Sequence, residues 1–476
     1  MSIEEHAPPS GPGMGVPPAG GGSPIVLPAS TSQDALVDAI KQASALGVPL
    51  LLEPGTHFTR PGRLQRIPIG ANGLELRPVD PAAVPALITR PDFSVDTAAP
   101  DENYGLYFIP APPTPAEIAG VRTWKPYVDS HGPYEYGIVV RGRVAISGVS
   151  VDCNMGRQKL ETLPKDAAQH SAMLAFAGQG YAAPAGPTGT RRIVYVAFES
   201  VALTDVHTLN GGYADDVWFS RGYFNPNIER VDIERFRSSN RVNPRRNSID
   251  FSAVCQNVHI TDADLYSLHL EETSSVYRDL PRQSDVFVPS AWTLRTITAQ
   301  YISLAAKGKV YVLDATDLTT TVAFNVYQAG GVIRSSTLRR GTEIRLFRLA
   351  DLLFDKVTWI LDPDDTGTVH GVLPAAQYGD PCVVTFHENS FLVTGTPTAG
   401  ELITGGQYST GVPNNKVTVT ATGCTYPDTF GRSPELAIAR ASERGDWTFA
   451  RHDLGDRNPD VAIQKGPQTD IFVHLV

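Results

Sequence analysis

The sequence contains no run of about 18 uninterrupted apolar residues, which excludes a transmembrane helix. It has few cysteines: Cys153, Cys255, Cys382 and Cys424 are the only four in 476 residues. They are far apart and form no C-x-x-C pair, which argues against a zinc site or a disulfide framework and for buried free thiols. No basic block is present. The net charge of −10 is spread along the chain, disfavouring a nucleic-acid role but leaving room for a local basic pocket suited to an acidic sugar. The first residues, "MSIEEHAPPSGPGMGVPPAGGGSPIVLP", show no basic region followed by an apolar one, so no secretory leader is expected. No G-x-S-x-G and no H-E-x-x-H occurs, and "GQGYAAPAG" does not lie between a strand and a helix. Neither a cofactor nor a metal is expected.

Helical segments are scarce too. The 42 glycines and 38 prolines break the chain often, arguing for many short strands joined by turns. Apolar residues make up 42% and charged residues 19%, the balance of a globular protein. Residues 1–28 form a Pro/Gly-rich arm or tether with too little apolar surface to fold alone. The one clear helical pattern follows in "TSQDALVDAIKQASALGVPLLLEPGTHFT". There Ser32 is the expected cap, Ala35, Leu36, Ile40 and Ala43 recur at near-helical spacing, and Gly47 ends the helix. Beyond it, apolar runs recur every 20 to 40 residues or roughly so. Among them are "GIVVRGRVAISGVSVDCN", "RRIVYVAFESVALTDV", "NSIDFSAVCQNVHITDADL" and "SLHLEE".

A helix feeding a short strand and then "PGTH", followed by "GVSVDCN" and "CQNVHITDADL", resembles the pectate-lyase-like superfamily of right-handed parallel β-helix proteins. In that family the helix plugs the open end of the coil. The resemblance covers about residues 30–305 and rests on many short phrases. It implies an all-β fold: a right-handed parallel β-helix over 29–305 with an N-terminal capping helix. Further β-coils and a C-terminal β-rich module are expected over 306–476. The last 65 or so residues, with "NNKVTVTATG" and "TDIFVHLV", read as antiparallel hairpins.

Alternation along a strand allows three segments to be aligned as rungs. In "DVWFS", Val217 and Phe219 point inward and Asp216, Trp218 and Ser220 outward. In "SIDFS", Asp250 is outward between Ile249 and Phe251. In "SLHLE", His269 and Glu271 are outward beside Leu268 and Leu270. Stacked, these segments would line up Trp218, Asp250 and His269, with Asp216 and Glu271 at the flanks. Carboxylates and a histidine suit acid–base work on a glycosidic bond or eliminative cleavage, and a tryptophan suits stacking on a sugar ring. Asp216, Asp250, His269 and Glu271 are therefore the candidate catalytic residues. Trp218, Arg221, Arg245 and Arg246 are the candidate substrate contacts, the arginines to neutralise a uronate. Asp152, Asn154 and Arg157 in "VDCNMGR" form a second outward group that also reads as a loop. Asp215, following Gly211 and Gly212, reads as a turn residue. The bland alternative is that polar residues outside a β-helix are ordinary surface.

The family's hydrolases carry N-T-D, D-D and G-H-G, of which only a D-D is present here, and the spaced calcium aspartates of its lyases have no counterpart. What the resemblance implies is a virion protein of the phage tail or tailspike kind, acting as a receptor-binding protein or depolymerase that engages, and in some members cleaves, a host-envelope polysaccharide. Its partners would be the glycan and other subunits reached through the N-terminal arm, in a homotrimer, with no nucleic acid and no membrane insertion. Its location would be the virion or the extracellular space. The alternatives are a free-standing polysaccharide lyase or glycoside hydrolase, and a non-catalytic structural β-helix.

Overall fold

A computed structural model describes residues 22–29, 32, 34–59, 66–82, 86–89, 104–129, 132–152, 172–209, 215–219, 228–239, 248–251, 255–271, 291–305, 311–327, 329–339, 344–347, 350–372, 374–377, 382–404, 417–441, 445–466 and 470–476. The Pro/Gly arm up to residue 21 lies outside this set.

The first helix, Ala35–Leu46, buries Leu36, Val37, Ile40 and Ala43 against the first coil. Its N-cap position falls on Asp34 rather than Ser32, and Asp34 itself already holds helical backbone angles (φ −91°, ψ −26°). Gly47 ends it in the left-handed conformation (φ 68°, ψ 36°), which a residue without Cβ adopts without strain. Ser44, buried on the helix, accepts a 2.9 Å hydrogen bond from the Gly70 N–H, tying the plug to the coil beneath. Three further short helices occur among the described residues: Pro115–Ala119, Arg451–Leu454 and Pro459–Ala462.

The rest is a parallel β-helix of three sheets. The first runs from Ile25–Leu27 through Leu50–Leu52, Leu74–Pro78 and Arg143–Ser147 to 200–204, each strand in register with the next. It continues without a change of direction to Val417–Thr422, Gly445–Phe449 and Ile471–Leu475. The terminal strands are thus parallel coils and not the antiparallel hairpins expected from sequence. Turn-rich connections do not distinguish a hairpin from a coil. The second sheet includes Ala86–Thr89, Val149–Asp152 and His207–Leu209. The third includes Arg66–Ile69, Tyr104–Pro110, Ala172–Phe176, Asp215–Phe219 and Ile249–Phe251. Inward side chains of all three sheets merge into one core, from Leu36 in the plug to Ile471 in the last coil. Because rungs sit about 4.8 Å apart, like residues stack. Phe108, Phe176, Phe219 and Phe251 form such a stack, closed by the edge of Trp292.

In the coils from Asp205 onward the corner between the first and second sheets turns on one left-handed residue. Asp205, Arg235, Asp262, Thr296, Asp317, Ser335, Lys356 and Glu388 all hold φ between 46° and 59° there. Their predecessors are Cα partners from rung to rung, so the left-handed residues form a single column. Gly148 and Gly423 extend it at either end. A left-handed L-residue costs about 1–2 kcal/mol. Here the hydrogen bonds of the flanking strands hold each one in place. Charges on the column pair along it: Arg235 grips Asp205 with two bonds of 2.6 and 2.9 Å, and Lys356 lies 3.6 Å from Glu388. Just inside the corner, buried Asn389 donates to the Phe354 and His387 carbonyls at 2.7 and 3.1 Å and accepts from the Val357 N–H at 3.2 Å.

Two hairpins leave the coil laterally. Lys125–Asp129 pairs antiparallel with Gly132–Val140, and Gln179–Ala183 pairs antiparallel with 192–196. They lie side by side through parallel pairing of 134–140 with 191–197. Cys255 and Cys424 are buried thiols not joined in disulfides, and burial pushes the Cys424 thiol up to about 11. Cys153 and the Cys382 side chain lie outside the described set.

Candidate functional site

The outer surface of the third sheet carries the residues that strand alternation singled out. Trp218 is the Cα partner of Asp250, and Asp250 is the partner of His269. The column continues through Ser303 to Asn325, and in the other direction through Ala175 to Tyr107. Asp250 Oδ2 lies 3.8 Å from His269 Nδ1, too long for a direct hydrogen bond but close enough for ion pairing when the imidazole is protonated.

Exposure changes along this column. Trp218 is 6% exposed and belongs to a second apolar cluster with Tyr107, Ile109, Ala172, Ala175 and Ala177, separate from the main core. Its ring is packed, not offered as an open stacking face. Asp250 is 6% exposed, and the His269 side chain reaches 25%. Ser303 and Asn325 are half-buried. The column therefore passes from a sealed apolar end to a polar, partly open stretch.

Asp216 does not join it. It is 0% exposed, and its Oδ2 accepts hydrogen bonds from the Thr208 hydroxyl at 2.7 Å and the Ser238 hydroxyl at 2.6 Å. Its position is in line with Met173, whose side chain belongs to the main core. Strict alternation fails here because the strand has just turned the corner: Met173 and Leu174, consecutive residues, both pack in the main core. The outward carboxylate expected at 216 is instead a buried acceptor between two rungs. Asp215 is likewise no exposed turn residue; it is buried and begins the strand Asp215–Phe219, partnered with Ala172.

The backbone of Glu271 is in the strand, partnered with Ala305; its side chain lies outside the described set. Arg221, Arg245, Arg246, Asn154 and Arg157 also lie outside it, and Asp152 is half-buried at the end of Val149–Asp152.

One acidic pair was not singled out from sequence. Glu199 and Glu229 occupy aligned positions on adjacent rungs, between the partner pairs Phe198–Ile228 and Ser200–Arg230. Arg143 is salt-bridged to Glu199. Burial raises the Glu229 carboxyl above the usual glutamate range, and the charge of Glu199 adds to the effect. Two carboxyls with unlike surroundings are the division of roles that acid–base cleavage of a glycoside employs. A folded-state value raised above the unfolded one contributes stability that is complete below the unfolded value and lost as pH rises through the folded one. Glu229→Gln is therefore expected to raise the melting temperature at pH 7 and to leave it unchanged near pH 4, roughly at the ordinary glutamate value. Thermal scans at the two pH values check this. A variant that melts lower at pH 7 would sink it.

Among the described residues no group of three or more His, Cys, Asp and Glu side chains converges as a metal site, and no helix is long and apolar enough to cross a membrane. The coil and its outward column place the chain in the class of parallel β-helix proteins. No protein-family model, curated protein or solved structure matches it.

Proposed function

We propose that this chain is a glycan-engaging β-helix of the pectate-lyase-like kind, acting as a phage tail or spike component on a host-envelope polysaccharide. The observation that carries this reading is the column Asp250, His269, Ser303 and Asn325 on four adjacent rungs. It sets hydrogen-bonding side chains at a regular repeat along an outer face, a pattern suited to the hydroxyls of an extended sugar chain. Trp218 closes one end of the column with apolar surface.

A second reading, a free-standing glycoside hydrolase or polysaccharide lyase, is supported by the Asp250–His269 contact and by the Glu199–Glu229 pair. In it, His269 accepts the proton lost by the sugar or by water, and Asp250, 3.8 Å from Nδ1, stabilises the imidazolium that forms.

The test is incubation with a panel of acidic and neutral bacterial and plant polysaccharides, reading binding, new reducing ends and ultraviolet absorbance of unsaturated products. Asp250→Asn is expected to weaken binding, and to abolish any cleavage that the unaltered chain performs. Unsaturated products mark a lyase, and reducing ends without them a hydrolase. Failure to bind any glycan of the panel overturns both readings and leaves a structural coil.

A further inference from the structure

The outer face of the first sheet changes character along the coil. Alternation turns three residues of each rung outward, so the face is three columns wide. Toward the plug these columns carry charge, among it Glu75, Arg143, Arg230 and Asp232. Toward the other end, four adjacent rungs instead turn Val312, Val332, Leu353 and Val383 outward. Val312 is 56% exposed, and the other three are half-buried. Val332 and Leu353 are Cα partners in the middle column. Val312 and Val383 stand in the column beside it, one rung beyond on either side. The pattern is therefore the same when the rungs are read in reverse.

An exposed apolar patch rimmed by polar residues marks a contact surface. Reading a face in reverse is what a twofold axis parallel to the strands imposes on two copies packed face to face, each column meeting itself. An axis between the rungs of Val332 and Leu353 sets those two side chains against each other and sets Val312 against Val383. It brings Arg334 to Asp355 and lays exposed Asp351 over Gly330, where no side chain obstructs it. Near the ends of the contact it brings Asp232 to His474. Among the described side chains of the three columns, no two of like charge oppose. Asp317 and Glu388 do so at the left-handed corner, off the flat face, where Glu388 has Lys356 at 3.6 Å. A twofold along the coil axis would instead press Asp351 against Asp355 on the same rung. Within its own chain Arg334 bonds Asp314 at 3.0 Å, and Asp355 bonds His387 at 2.8 Å. A guanidinium has several donors and a carboxylate several acceptor sites, so both can serve a second copy as well. Ten rungs take part, from 230–234 to 472–476. At about 4.8 Å a rung and about 17 Å of width they cover roughly 800 Å², what each partner gives to a stable interface of standard size.

We propose that this face docks a second copy of the chain, making a twofold dimer whose facing strands are parallel and whose coil axes run in opposite directions. The proposal does not depend on the glycan reading, since Asp250 and His269 lie on the third sheet and this contact uses the first.

Sedimentation velocity at micromolar concentrations, with thiol cross-linking, tests it. The unaltered chain is expected to sediment as a dimer. Arg334→Asp and Asp355→Arg each oppose like charges at two symmetry-related points, so each should weaken the dimer about a hundredfold, and the two combined should restore it. Melting temperatures show whether each variant is folded. Val312→Cys/Val383→Cys answers the same question without altering charge. A short bismaleimide should convert this variant to a covalent dimer on a denaturing gel, and should convert neither single cysteine variant to the same extent. Within one chain the two positions are three rungs, about 14 Å, apart, and only a link between copies raises the mass on the gel. A monomer or a trimer in sedimentation, a dimer indifferent to the charge variants, or equal cross-linking of the single cysteine variants overturns the proposal.

Discussion

Phe219→Ala is expected to destabilise the coil by about 3–5 kcal/mol, the cost of deleting a fully buried aromatic ring. Phe219 lies parallel to Phe251 at 4.4 Å and to Phe176 at 5.5 Å, so its loss removes two ring contacts and opens a gap inside a continuous stack. The gap closes poorly. Both neighbouring rings are fixed by strands whose backbones are bonded rung to rung, which limits how far they move together. Each coil touches mainly the coils beside it, so the damage is felt first as local opening around 215–251. Denaturant titration of the variant gives the overall loss, and hydrogen exchange locates it. A loss under about 1 kcal/mol would mean that the stack is not packed at native density there.

The second large effect is expected at Asp216. Asp216→Ala removes the shared acceptor of the Thr208 and Ser238 hydroxyls, both buried, and leaves two donors without it. At about 1–3 kcal/mol for each of the two hydroxyls, a loss of about 2–6 kcal/mol is expected. Asp216→Asn keeps an oxygen that accepts both hydroxyls and should cost less. Thermal unfolding of the two variants, together with the glycan assay, separates structure from catalysis. A variant that keeps its melting temperature yet loses binding or turnover would return Asp216 to the reacting groups.

Part of this was legible in the sequence because strands have a period of two. The phrases "VWF", "IDF" and "LHL" each place one polar or aromatic residue between two large apolar ones. That pattern aligned Trp218, Asp250 and His269 across 52 residues of chain. The plug helix was legible for a similar reason, its apolar positions recurring at helical spacing. Asp216 was misplaced because period-two counting assumes that the strand has already straightened, and at 215–216 it is still leaving a corner. Glu199 and Glu229 escaped notice because 191–204 begins in the lateral sheet and ends in the coil, so its rung is offset by a hairpin. The left-handed corners were invisible because Arg, Thr, Lys and Glu occupy them as readily as Asp or Ser, with no glycine signature. The exposure of Trp218 depended on neighbours more than 100 residues earlier, Tyr107 and Ile109, which no local pattern reveals.

The single-residue corners have a consequence for how such a chain can change over generations. From Asp205 onward the turn is too short to admit an insertion without tearing two strands from their partners, whereas the earlier passage from Pro78 to Ala86 takes seven residues. The passage from the third sheet back to the first is different. It takes three residues between Phe251 and Cys255, eight between Phe219 and Ile228, and a whole hairpin after Phe176. New chain can accumulate there, beside the outward column, while the coil keeps its bore. The passage into the third sheet is as free, with nineteen residues between Asp152 and Ala172 and ten between Ser238 and Ile249, so novelty in recognition falls at both ends of the third sheet and heredity of the scaffold at the left-handed corner.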